Sequence, residues 1–192
     1  MRVAVFGLGY VGCVTGACIA DLGHLVVGVD VNPLKVQMMN DGNPPVIEDG
    51  LAEFISKVNA RGTLTATGDW LRAVCEADVS LVCVGTPSNE NGSLSLDVVR
   101  RVTAQIGEGL KNRRDYSVVA IRSTVLPGTV ESELIPLLEE HSGKTAGRDF
   151  GVCMVPEFLR EGSSLHDFFH PPKCVIGQLD QRSGDTVAAL FE

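Results

Sequence analysis

Val5-Phe6-Gly7-Leu8-Gly9-Tyr10-Val11-Gly12, "VFGLGYVG", carries three glycines at the GxGxxG spacing close to the start of the chain. Glycines are common enough that this spacing means little by itself, so its surroundings decide the reading. Residues 2 to 6, RVAVF, form a short apolar run of strand type, and VTGACIADLG then repeats apolar residues at helical spacing until Gly23. In a strand-turn-helix, Gly7 permits the tight turn, Gly9 lets the backbone approach a pyrophosphate, and Gly12 allows close packing of helix on sheet. The helix N-terminus adds free N–H groups and a partial positive charge. The alternative is a glycine turn with no ligand.

The next apolar run, LVVGVD, is β-branched and ends in Asp30, 18 positions after Gly12. An acidic residue there accepts hydrogen bonds from adenosine ribose hydroxyls and repels a 2′-phosphate, which favours NAD over NADP. Lys35 is the counter-argument, since a lysine pairs readily with that phosphate. Asn32-Pro33 reads as cap and first residue of a helix, LKVQMMN. The alternation continues with strand LTAT (64–67), a helix from Asp69 to about Ala77, strand VSLVCVG (79–85) and a helix from Leu96 to Leu110. Strand YSVVAI (116–121), a helix from Val130 to Glu140, strand DFGVCMV (149–155) and a short strand KCVIG (173–177) follow. This order predicts an α/β fold, a Rossmann-like, doubly wound, mostly parallel sheet with helices on both faces. The proline-bearing stretch DGNPPVIEDG, 41–50, lies between two helical segments and is too short to separate domains.

Composition narrows the partners. A formal net charge of −8 leaves no basic surplus to neutralise phosphates, so a nucleic-acid partner is not expected. No apolar run approaches the ~18 residues of a membrane helix, and the N-terminus runs straight into a strand pattern, so no membrane partner and a cytoplasmic location are expected. The six cysteines stand singly in apolar runs without a CxxC pair, which suits buried, reduced thiols better than disulfides or zinc.

Two loops follow the fourth and fifth strands, at the carboxyl edge where open α/β sheets bind ligands: GTP (85–87) and RST (122–124). Thr86 and Thr124 are positioned there to hydrogen-bond a cofactor, or simply to cap the next helices. VPEFLREG places Glu157 and Glu161 four residues apart, on one face if the segment is helical; they read equally as a base with a substrate anchor or as a solvated acidic face. His166 and His170 share that spacing but no third ligand accompanies them, so no metal site is predicted.

VFGLGYVG, VGVDVNPLKV, VCVGTPS, RSTVLPGTV and PEFLREGSS, in this order, resemble the NAD-binding domain of the UDP-glucose/GDP-mannose dehydrogenase family over nearly the whole chain. STVLPGTV, SGKTAGRDFGV and HPPKCVIG look closer to the GDP-mannose 6-dehydrogenase branch than to the UDP-glucose enzymes. The resemblance implies oxidation of a nucleotide sugar at C6 to a carboxylate with two NAD per turnover, through a thiohemiacetal and a thioester on a cysteine. It places Gly7, Gly9, Tyr10, Val11, Gly12, Asp30, Lys35, Thr86 and Thr124 at NAD-contacting positions, Glu157 at thioester hydrolysis and Glu161 at the substrate. Val155 stands where the family usually carries asparagine.

By the same resemblance residues 1–180 are the cofactor domain, and 181–192 begin a helix leading to linking and substrate domains. Those domains would carry the nucleophilic cysteine and the contacts of a homodimer in the full-length protein. The chain is therefore expected to be a piece of a longer enzyme, incomplete as a catalyst alone. UDP-glucose as the substrate, or a stand-alone NAD-binding module, are the competing readings.

Overall fold

The computed structural model describes residues 1–192. Seven strands form one sheet in the order β3-β2-β1-β4-β5-β6-β7. They are β1 (Arg2–Phe6), β2 (Leu25–Val29), β3 (Leu64–Thr67), β4 (Val79–Val82), β5 (Val118–Ile121), β6 (Gly151–Met154) and β7 (Gly177–Gln178). All pairings are parallel except β6 with β7. The chain leaves β1 toward one edge through β2 and β3, then returns to lay β4 on the other side of β1. This reversal makes the doubly wound fold predicted from the alternation.

Strand period two and burial on both faces explain why these segments are apolar throughout. In β1, Val3 and Val5 enter one core while Ala4 and Phe6 enter the other. β5 repeats this, with Val118 and Ala120 on the first side and Val119 and Ile121 on the second. The first core is covered by α1 (Tyr10–Asp21), α3 (Leu51–Ala60), α7 (Ser164–Phe169) and α8 (Gln181–Ala188). The second is covered by α4 (Trp70–Glu76), α5 (Asp97–Lys111) and α6 (Ile135–Ser142). Val187 and Leu190 are fully buried in the first core, so the C-terminal helix is anchored to the sheet.

Local signals act as expected at several ends. Asn32 caps α2 (Pro33–Asn40) by accepting from Leu34 N–H at 3.0 Å, with Pro33 in the first turn. Asp69 caps α4 through Arg72 N–H at 3.1 Å; such caps contribute about 1 kcal/mol each. The segment from Val130 differs: it opens as a π-helical turn, Val130–Leu134, before α6 begins. Pro136 has no N–H to donate to Ser132, which breaks the regular ladder there.

One expectation near the C-terminus is corrected and one open alternative is decided. KCVIG is not a strand over 173–177; only Gly177–Gln178 pairs, antiparallel with Met154 and Cys153. VPEFLREG is not helical either, so Glu157 and Glu161 do not share a helix face. The Glu157 carboxylate instead accepts from Leu159 N–H at 2.6 Å in a local turn that competes with a helix. The loop then folds back onto α7, where buried Asp167 accepts from the Arg160 guanidinium at 2.7 and 3.0 Å, from Arg160 N–H at 3.0 Å and from the Ser163 hydroxyl at 3.1 Å.

The glycine turn gives a first prediction. A Cβ on Gly12 would stand 1.9 Å from the Gly7 carbonyl oxygen, whereas one on Gly9 would meet nothing within 4 Å. Gly12→Ala is expected to destabilise the fold by about 3 kcal/mol and Gly9→Ala by about 0.5 kcal/mol, read by urea unfolding. The Arg160 loop gives a second. The Arg160 guanidinium beside Asp167, with its other donors, holds that carboxyl below the usual carboxylate range. A carboxyl depressed on folding stabilises fully above its unfolded pKa of about 4 and loses that effect as pH falls below it. The protection factor of the Arg160 amide, its exchange rate relative to an unstructured peptide at the same pH, should therefore fall as pH drops below about 4, and Asp167→Asn should lower it already at pH 7.

Candidate functional site

The carboxyl ends of β1 and β4 open a crevice at the point where strand order reverses, the usual ligand position in this architecture. Gly7 takes φ +96°, a left-handed conformation that favours glycine, and turns the chain out of β1 into α1. It also passes so close to Val84 that an added Cβ would lie 2.9 Å from that side chain. Gly9 is the N-cap of α1 and no side chain caps the helix. The first backbone bond into the helix is Cys13 N–H to Gly9 C=O at 2.9 Å. The N–H groups of Tyr10, Val11 and Gly12 therefore have no partner inside the helix and face an approaching anion.

Beside this turn lies a cleft of about 240 Å³ lined by Gly7, Gly9, Asp30, Lys35, Trp70 and Arg101, among others. Asp30 is held rigidly, accepting from Leu8 N–H at 2.7 Å and from Asn32 N–H at 2.9 Å. Each carboxylate oxygen keeps a lone pair for a hydroxyl donor. Lys35 Nζ lies 4.0 Å from Asp30, a distance that adds little stability at a partly exposed site but brings a cation to the same cleft. The donor set and the open space above Gly9 fit a dinucleotide: free N–H groups for a pyrophosphate and an acidic acceptor for a ribose.

Of the predicted cofactor residues, Gly7, Gly9, Asp30 and Lys35 line this cleft, and Tyr10, Val11 and Gly12 form the first turn of α1 at its side. Thr86 and Thr124 do not line it. They follow β4 and β5, so sheet order sets them farther along the same edge, with Thr86 half-buried and Thr124 exposed. Glu157 follows β6, one strand farther, half-buried, and Glu161 is exposed. The edge therefore reads Asp30, the glycine turn, Thr86, Thr124, Glu157 across four strand spacings, roughly 19 Å.

Trp70, Arg101, Glu48 and Arg122 escaped the sequence reading as site residues. Trp70 and Arg101 come from helices of the second layer, and nothing in their local sequence marks them. Glu48, in the loop before α3, accepts from Tyr10 and from the 160s loop. Arg122, two residues before Thr124, is 7% exposed, its Nη1 donates to Val155 C=O at 3.4 Å, and its Nε has no partner. Burial pulls its pKa down from the ordinary guanidinium value. Its position directly after a fully buried strand was the available signal. Val155, in place of the usual asparagine, is 1% exposed and packs in the first core while its N–H donates to Ile121 C=O.

The cysteines are free: Cys13, Cys18, Cys83 and Cys153 are buried, Cys75 is half-buried, and Cys174 is exposed, unlike the expectation of buried thiols throughout. Burial pushes the Cys13 and Cys83 thiols up to about 12, far from a reactive thiolate. His166 and His170 stack with centroids 4.6 Å apart, and no group of three metal-ligating side chains is present. No helix is long and apolar enough to cross a membrane.

Comparison with known proteins agrees with this geometry. The family model for the UDP-glucose/GDP-mannose dehydrogenase family, NAD binding domain, matches residues 1–192. GDP-mannose 6-dehydrogenase of Pseudomonas syringae pv. tomato is 47% identical over 192 residues, covering all of this chain and 44% of that protein. A UDP-glucose 6-dehydrogenase of Haloferax volcanii is 38% identical over 191 residues, again covering 44% of its length. The crystal structure of a ternary complex of GDP-mannose dehydrogenase from Pseudomonas aeruginosa superposes with a TM-score of 0.98 at 45% identity, covering 100% of this chain and 44% of that one. A UDP-glucose dehydrogenase from Pyrobaculum islandicum gives a TM-score of 0.94 at 37% identity, covering 99% and 43%. The chain thus spans less than half the length of these relatives, and it belongs to the UDP-glucose/GDP-mannose dehydrogenase family as an NAD-binding domain.

Proposed function

We propose that this chain is the cofactor-binding part of a GDP-mannose 6-dehydrogenase, which oxidises the sugar at C6 to the carboxylate with two NAD per turnover. The observation that carries the reading is the convergence of Gly7, Gly9, Asp30 and Lys35 on one cleft at the strand-order reversal. The choice of GDP-mannose over UDP-glucose rests on the higher identity to the GDP-mannose enzyme, 47% against 38%.

NAD, when bound, accepts hydride from the sugar carbon. The chain's own residues orient it. Asp30 accepts from the adenosine ribose hydroxyls and repels a 2′-phosphate, with Lys35 beside it at the adenosine end. The N–H groups of Tyr10, Val11 and Gly12 hold the pyrophosphate, and the bare Gly9 lets it come close. Thr86 and Thr124 follow along the edge toward the reacting end. There Glu157 serves hydrolysis of the acyl intermediate and Glu161 meets the substrate. The nucleophilic thiol is assigned to the part of the enzyme outside these residues, a reading supported by the raised thiols of Cys13 and Cys83 and by the greater length of the relatives. Residues 181–192 would lead on to that part, which would also carry the contacts of a homodimer, and the enzyme would work in the cytoplasm.

Calorimetric titration of the 192-residue chain should show NAD binding at least tenfold tighter than NADP. Asp30→Ala should weaken NAD by about tenfold or more, the loss of hydrogen bonds to a charged acceptor. Gly9→Ala should lose affinity while its stability stays within about 0.5 kcal/mol of the wild type. Equal NAD and NADP affinities would overturn the role of Asp30. The full-length protein should turn over GDP-mannose in preference to UDP-glucose. Preference for UDP-glucose would favour the UDP-glucose reading, and turnover of neither the binding module.

A further inference from the structure

Glu48 sits in the loop between α2 and α3, and its carboxylate is the meeting point of segments far apart in sequence. Oε2 accepts from the Tyr10 hydroxyl at 2.9 Å and from Gly162 N–H at 2.8 Å; Oε1 accepts from Ser164 N–H at 2.8 Å and from the Ser164 hydroxyl at 2.7 Å. The Tyr10 hydroxyl also lies 3.2 Å from Arg160 C=O, so its single proton is shared between the two segments' acceptors. Four donors converging on one carboxyl group suit only the ionised acid, which accepts at both oxygens and donates at neither. A glutamine of the same shape would turn an NH₂ group toward two of those donors.

What distinguishes Glu48 from an ordinary loop staple is the identity of its partners. Tyr10 is the first residue of α1, and its backbone N–H is one of the unpaired groups facing the cofactor cleft. Gly162 closes the loop that carries Glu157 and Glu161 and Ser164 opens the helix after it, while the loop has no regular structure of its own between Val155 and Arg160. Two polar links join that loop to the cofactor turn: the Glu48 carboxylate, which takes up both the Gly162 and Ser164 amides, and the longer contact of the Tyr10 hydroxyl with Arg160 C=O. We propose that Glu48 is a positioning residue that couples occupancy of the dinucleotide cleft to the order of the loop bearing Glu157 and Glu161. The coupling rests on the assignment of that cleft to NAD. A settling of the first turn of α1 around a pyrophosphate fixes the Tyr10 hydroxyl. Glu48 passes that constraint to the Gly162 and Ser164 amides.

The test is residue-resolved amide exchange by NMR on the 192-residue chain, with and without saturating NAD. In the wild type, NAD should slow exchange at Gly162 and Ser164 by about fivefold or more, the lower end of ordinary site-to-site coupling. Glu48→Gln should abolish that NAD-dependent slowing while amides of β1 and β4 keep wild-type protection. A purely structural role would lower loop protection equally with and without NAD. If Glu48→Gln fails to fold, Tyr10→Phe removes one hydroxyl only and should shrink the slowing in the same way. NAD binding without a change at Gly162 and Ser164 overturns the coupling alone, as does full slowing in Glu48→Gln or, where that variant does not fold, in Tyr10→Phe. Failure of the wild type to bind NAD overturns the coupling together with the reading of the cleft.

Discussion

The approach of Gly12 to the Gly7 carbonyl is the constraint on which the rest of this molecule turns. A side chain on Gly12 has no room, since even a Cβ would overlap the Gly7 oxygen at 1.9 Å and press on Cys83 at 3.2 Å. Because that position is bare, α1 starts immediately after β1 and lies close against the ends of β1 and β4. Close packing in turn aims the uncapped end of α1 at the crevice between those strands. The same few residues thus set a packing distance and an electrostatic direction. Gly9, by contrast, is bare where the structure has space, which separates a glycine required by the fold from one suited to a ligand.

Sheet order then distributes the remaining groups. β2 and β4 both pair with β1, and β5 and β6 continue outward from β4. Residues that follow these strands are therefore set out along one edge in an order that differs from their order in the chain. Asp30 lies at one end and Glu157 at the other, with the glycine turn and the two threonines between. An extended dinucleotide is the ligand form that matches such a row. The apolar strands that hold the row bury both faces, and each fully buried Val, Leu or Phe contributes about 1.5–3 kcal/mol.

The acidic loop shows how polar contacts take over where packing ends. Beyond β6 the chain has few buried apolar residues, and carboxylates shape it instead: Glu157 closes a local turn, Asp167 binds Arg160, and Glu48 gathers Tyr10, Gly162 and Ser164. Hydrogen bonds from Gly162, Ser164 and Tyr10 outweigh burial and hold Glu48 below the ordinary carboxylate range. Each tie uses an ionised acceptor, the stronger kind of hydrogen bond. A loop held this way is more responsive to its neighbours than one wedged into a core.

Local sequence was enough for the features that depend on near neighbours. Strand periodicity, the caps at Asn32 and Asp69, the glycine turn and Asp30 at the end of β2 were all legible, because each follows from residue type within a few positions. The same reading left open whether Glu157 and Glu161 share a helix face and made KCVIG a strand, since spacing cannot report a side chain bonding its own backbone or the short antiparallel pairing at the sheet edge. Glu48, Arg122, Trp70 and Arg101 carried no local mark. Their roles arise only when segments from different parts of the chain meet, as when Glu48 reaches both the start of α1 and the loop after β6. Residue types along the chain dictate the alternation of strands and helices and the conformation of the glycine turn, because backbone geometry and burial act residue by residue. Which charged groups share a site follows instead from strand order and from contacts between residues more than a hundred positions apart, which no local pattern reports.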